Sequence, residues 1–111
     1  MGFESTHEVN MISGAVYYNN PNTPYEYAVN ELSHYVPVYE TTIPNNDKGN
    51  VIGQTQFNQF GQPNKVLIEQ KDPGVVYHEM YHVITPGGGT EQAADNYAAS
   101  RGYPIHDATY K

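Results

Sequence analysis

Two histidines one helical turn apart, with a glutamate beside the first, constrain this chain more than any other feature. Residues 75–95 read VVYHEMYHVITPGGGTEQAAD, in which His78-Glu79-Met80-Tyr81-His82 is an H-E-x-x-H motif and Glu91-Gln92-Ala93-Ala94-Asp95 is E-x-x-x-D. A helix advances roughly 100° per residue, so His78 and His82 lie about 40° apart on one face and both imidazoles can reach a single ion. Val76, Met80, Val83 and Ile84 cluster on the opposite side and are expected in a core. Pro86 and the run Gly87, Gly88, Gly89 stop this helix, and Thr90 is placed to cap a second one over residues 91–101. Glu91 and Asp95 then share a face, while Ala94 and Ala98 are small enough to let the two helices approach closely.

The chemistry that asks for this set is that of zinc. Two neutral imidazoles and one carboxylate leave a fourth tetrahedral position for water, whose pKa the metal lowers towards neutrality. His78, His82 and Glu91 are the expected ligands, and Glu79 the general base and acid. Asp95 would orient a ligating histidine, His78 first, through the ring N–H that the metal does not use. Three other readings compete: a zinc that only staples a small fold, Asp95 in place of Glu91 as third ligand, and polar residues that merely decorate two solvated helices. Roughly one or two shuffled chains in a hundred of this composition would contain H-E-x-x-H, and fewer still the downstream pair, which weighs against the last reading.

The same residues carry a family resemblance. His78-Glu79-x-x-His82 with Glu91-x-x-x-Asp95 resembles the gluzincin group of zinc metallopeptidases, whose third ligand is a glutamate on a downstream helix. The context Glu91-x-x-Ala94-Asp95 with Tyr97-Ala98 is similar to small members, including minigluzincins and ImmA/IrrE-type peptidases. The likeness covers about 25 to 30 residues, roughly a quarter of the chain. Only eight residues separate His82 from Glu91, fewer than in the large members, and no second subdomain is expected. The resemblance implies a zincin-like fold, cleavage of peptide bonds in a peptide or protein substrate, and an edge strand that holds the substrate extended.

A length of 111 residues fits one domain, 1–111, with a modest core that a bound metal would help to stabilise. Cysteine is absent, so metal ligands must be histidine and carboxylate, and the redox compartment stays open. Twelve acidic residues against five basic ones give a formal charge of −7, which argues against nucleic acid as a partner. No apolar run of about 18 residues and no basic leader with an apolar stretch is present, so neither a membrane span nor a signal peptide is expected. The expected form is a monomer, cytoplasmic or the mature part of a secreted chain. Eleven tyrosines against three phenylalanines and no tryptophan suit a core close to the surface, or a binding cleft.

Along the chain, residues 1–13 have no clear period and are expected as a loose end, and His7 as a surface residue. Residues 14–18, GAVYY, predict a first strand before the turn cluster at 19–22. Thr23, Pro24 and Glu26 spell a helix start with a capping box, and Pro37 ends that helix near Tyr35. Its stripe of Tyr25, Ala28, Val29, Leu32 and Val36 is expected against a sheet, with Glu26, Asn30 and Glu31 in water and His34 a structural residue at the helix end. A second strand spans 38–43, a turn 45–50, in which Asn45-Asn46-Asp47 makes a poor calcium site, and a strand pair 51–60 and 65–70. Asp72 and Pro73 open the motif helix.

Hydrolysis of an amide develops charge on the carbonyl oxygen, and a histidine or tyrosine donor commonly stabilises it. His106 and Tyr103 in the tail are the candidates by position. The resemblance also offers another use for that tail, with His106 or Asp107 folded back to keep the site latent. Taken together the elements predict an α+β domain, a small and mostly antiparallel sheet with one backing helix, an H-E-x-x-H helix and a glutamate helix. The function expected is that of a zinc-dependent metallopeptidase. The alternative is a non-catalytic or latent peptidase-like binding module, a phage or effector component, with a structural zinc.

Overall fold

A computed structural model describes residues 7–9, 14–43 and 52–104. The elements in chain order are β1 (His7–Val9), β2 (Val16–Tyr18), α1 (Pro24–Ser33), β3 (Val38–Glu40), β4 (Gly53–Phe57), β5 (Pro63–Ile68), α2 (Pro73–Ile84) and α3 (Glu91–Ser100). The domain is a small α+β fold, as the pattern of elements predicts.

Its main sheet has the order β3-β5-β4, with β4 antiparallel and β3 parallel to the central β5. A separate antiparallel pair joins β1 to β2. Two of the three pairings are therefore antiparallel, and the sheet itself is mixed. β1 falls where the sequence predicts a loose end, because its pairing depends on a partner that local pattern does not reveal. The turn expected at 45–50 lies outside the described residues.

Each helix begins where its cap predicts. Thr23 Oγ1 accepts the Glu26 N–H at 3.1 Å, and the Glu26 carboxylate reaches back to the Asn22 N–H at 2.9 Å. Asp72 accepts from the Gly74 N–H at 2.7 Å, and Thr90 from that of Ala93 at 3.1 Å. The helices α1 and α2 lie on one face of the sheet, where Ala28, Val29 and Leu32 meet Val38, Val66, Ile68, Val75, Val76 and Met80 in a fully buried core. Alternation along β5 sends Val66 and Ile68 to this face and Leu67 to the other. The tail of the predicted apolar stripe on α2 differs. Val83 is only partly buried and Ile84, the last residue of the helix, is exposed.

Two polar arrangements tie the elements together. Asn30, expected in water, is buried: its carbonyl oxygen accepts the Tyr18 N–H at 2.9 Å and its amide donates to the Tyr18 carbonyl at 2.8 Å. A side chain thus replaces a neighbouring strand at this edge of β2, a pairing that helical periodicity does not reveal. Nearby, the phenols of Tyr18 and Tyr25 donate to one oxygen of Glu40 at 2.5 and 2.6 Å, linking β2, α1 and β3. Burial first, and then the bond to Glu40, pushes both phenols well above the usual tyrosine range, so they stay protonated and donate to Glu40.

Replacing Asn30 by leucine keeps the branching of the side chain and removes both bonds. The expected loss is about 1–3 kcal/mol of unfolding free energy in a urea titration. A loss below about 0.5 kcal/mol would mean that the Tyr18 backbone groups are satisfied without Asn30.

Candidate metal centre

The site is built by the turn between α2 and α3. Gly87, Gly88 and Gly89 all have positive φ, at 77°, 86° and 69°, a conformation that glycine adopts without penalty. At Gly89 space adds to conformation, since a Cβ there would come within 2.5 Å of the Tyr81 ring. The tight link returns the chain so that α3 lies on α2, with Ala94 and Ala98 fully buried between them. Glu91, in the first turn of α3, is thereby brought over the histidines of α2.

The convergence is close. His78 Nε2 and His82 Nε2 are 3.3 Å apart, and Glu91 Oε1 lies 2.7 Å from the first and 3.3 Å from the second. Tetrahedral zinc with bonds of about 2.0–2.1 Å places its ligand atoms roughly 3.3 Å from one another. Two of the three separations match, and the third widens by a small turn of the Glu91 side chain, which is 60% exposed. His78, His82 and Glu91 form a group that can hold a metal ion.

The opposite edges of both rings are fixed. His78 Nδ1 is 2.8 Å from Asp95 Oδ1, and His82 Nδ1 is 2.7 Å from the Gly88 carbonyl oxygen. A carbonyl can only accept, so Nδ1 of His82 carries a proton, while His78 lies between two carboxylates, Asp95 on Nδ1 and Glu91 on Nε2. A neutral ring protonated on Nδ1 presents its Nε2 lone pair towards Glu91. Burial lowers the pKa of the fully enclosed His78 against the opposing pull of Glu91 and Asp95, which favours the neutral form. With Nδ1 protonated and the rings neutral, two lone pairs and a carboxylate oxygen would meet at one point, a repulsion that a cation among them would relieve. Asp95, weighed above as an alternative ligand, stands on the far edge of the His78 ring.

These groups open onto a cleft of about 340 Å³ lined by β4 residues Gly53, Gln54, Thr55 and Phe57, by Glu79, His82 and Glu91, and by the three glycines. Glu79 is only 2% exposed, and Thr55 Oγ1 donates to its Oε1 at 2.8 Å. Burial pushes its carboxyl pKa up to about 7, against the lowering effect of the Thr55 bond. Gly53 lets the strand lie this close: a Cβ there would meet Val75 Cγ1 at 2.7 Å and Glu79 Oε2 at 2.9 Å.

Of the residues singled out from sequence, His78, His82, Glu91, Asp95 and Glu79 come together. Tyr103 is elsewhere, its ring stacked on Tyr77 with centroids 5.8 Å apart and 16° between planes, beside Arg101 and away from the cleft lining. His106 lies outside the described residues. Thr55 and the Gly88 carbonyl enter the site without having been singled out. A glycine inside a strand, as at Gly53, is a legible sign of close backbone approach, whereas a backbone carbonyl leaves no mark in a sequence.

Removing the carboxylate behind His78, as in Asp95→Ala, is expected to weaken divalent-ion affinity about 10- to 100-fold, measured by chelator competition with Zn²⁺. Unchanged affinity would show that Asp95 does not hold the ring for a metal. Comparison with protein-family models, curated proteins and solved structures gives no significant match, so the site stands on its own geometry.

Proposed function

We propose that this protein is a zinc-dependent metallopeptidase of gluzincin type, with His78, His82 and Glu91 as ligands and Glu79 as general base and acid. The observation that carries the reading is the pairing of two features in one cleft. Three electron-rich atoms converge on a single point, and a buried carboxylate that Thr55 holds lines the same space. A site that only stapled a fold would have no use for that second feature, because a buried carboxylate costs stability.

A zinc ion held there supplies Lewis acidity and lowers the pKa of a water towards neutrality. The chain's own residues do the rest. Glu79 takes the proton from the attacking water and passes it to the leaving nitrogen. Asp95 and the Gly88 carbonyl keep the imidazoles aimed, so that the ligands need no rearrangement during the reaction. One edge of β4 pairs with β5, and its other edge is unpaired among the described residues, which suits an extended peptide added as a further strand. The exposed position of Glu91 leaves the fourth side of the site accessible from the cleft.

The glutamate and its amide have nearly the same shape, so Glu79→Gln separates chemistry from architecture. Zinc stoichiometry and thermal midpoint are expected to hold, while cleavage of a mixed peptide library falls by about 10²- to 10⁴-fold. Cleavage at the unaltered rate would exclude Glu79 from the reaction. A zinc-loaded protein that cleaves nothing in the library, with Glu79→Gln indistinguishable from it, would favour the stapled binding module instead.

A further inference from the structure

Glu79 reaches the cleft on a long side chain, and what holds it comes from across the site. Gly53, Thr55 and Phe57 alternate along β4 and face α2: the backbone of Gly53 lies against Val75 and Glu79, Thr55 meets the Glu79 side chain, and the Phe57 ring lies over Gly88. Thr55 Oγ1 is 2.8 Å from Glu79 Oε1 and 3.3 Å from the Glu79 carbonyl oxygen. A hydroxyl has one proton to give, and the shorter, charge-assisted contact takes it. Among the described residues this is the one side-chain hydrogen bond made to the Glu79 carboxylate, which the Thr55 backbone also supports, at a position 2% exposed where water is scarce.

We propose that Thr55 is a positioning residue: its hydroxyl, bonded to Oε1, fixes the rotation of the Glu79 carboxylate within the cleft. The inference rests on the peptidase reading for its catalytic consequence, but the positioning itself is a statement about the folded chain. Thr55 stands on the strand whose free edge would carry the peptide, so one rigid element sets the place of both the scissile bond and the base. A base held from its own helix alone would swing about its side-chain torsions, and a displacement near 1 Å is enough to cost about 100-fold in rate.

Thr55→Val keeps the shape and removes the hydroxyl, and Thr55→Ser restores it. With zinc-loaded protein, Thr55→Val is expected to lower kcat about 10- to 100-fold with KM within about threefold, and Thr55→Ser to stay within about threefold of the unaltered protein. Zinc affinity is expected to remain within about twofold in both, since neither touches a ligand. A crystal structure of Thr55→Val gives a readout independent of activity: the Glu79 carboxylate is expected to rotate away from its present place while β4 and α2 stay fixed. Should valine at this position fail to fold, Thr55→Ala removes the hydroxyl without adding bulk and carries the same expectations. A kcat within twofold of the unaltered protein, or an unmoved carboxylate in the crystal, overturns the proposal. If the unaltered protein cleaves no peptide the function proposed above fails, and the position of Glu79 in the variant still decides whether Thr55 holds it.

Discussion

Everything around the cleft depends on one electrostatic problem: two imidazole lone pairs and a carboxylate oxygen are held within 3.3 Å of one another. With both rings neutral these atoms repel one another at this range in a half-buried site, and a cation lying between them would relieve the repulsion. A protonated histidine would relieve the strain only partly, and burial works against it at His78. The surroundings push the same way. Asp95 and the Gly88 carbonyl each occupy the Nδ1 edge of a ring, so a neutral ring protonated there turns its lone pair inward.

The rest of the fold can be understood as what keeps that convergence in place. Val75, Val76 and Met80 fasten α2 to the sheet and so fix the height of the histidines. Ala94 and Ala98 bring α3 against α2, and the glycine turn closes the distance between His82 and Glu91 in eight residues. The opposite end of α3 is fastened by Arg101, which lies over the Tyr77 ring at 4.2 Å and reaches Glu31 on α1 at 3.0 Å. Both charges of that ion pair are partly exposed, so the stacking and the packing of Tyr103 on Tyr77 matter more than the Coulomb attraction. The glutamate helix is held at both ends, which keeps Glu91 in its first turn over the histidines.

Much of this was legible in the chain, for identifiable reasons. Caps are local, so Thr23, Asp72 and Thr90 predict the three helix starts directly. Helical spacing is local too, and it places His78 with His82 and Glu91 with Asp95. What escaped depends on contacts between segments far apart in the sequence. β1 needs β2 to be a strand, Asn30 is buried because Tyr18 offers backbone groups twelve residues away, and Thr55 meets Glu79 across 24 residues. The place of Tyr103 escaped for a similar reason: position in the tail made it a candidate for the cleft, but an aromatic partner on the far side of α2 claims it.

The central claim is that these three side chains form a cation site with an open corner. X-ray absorption at the zinc edge, on protein given one equivalent of Zn²⁺, tests it most directly. The account predicts stoichiometric zinc in a shell of about four nitrogen and oxygen atoms at about 2.0–2.1 Å, two of them imidazole, with one imidazole contribution lost in His82→Ala. Loosely bound zinc in an all-oxygen shell, unaltered by His82→Ala, would contradict it.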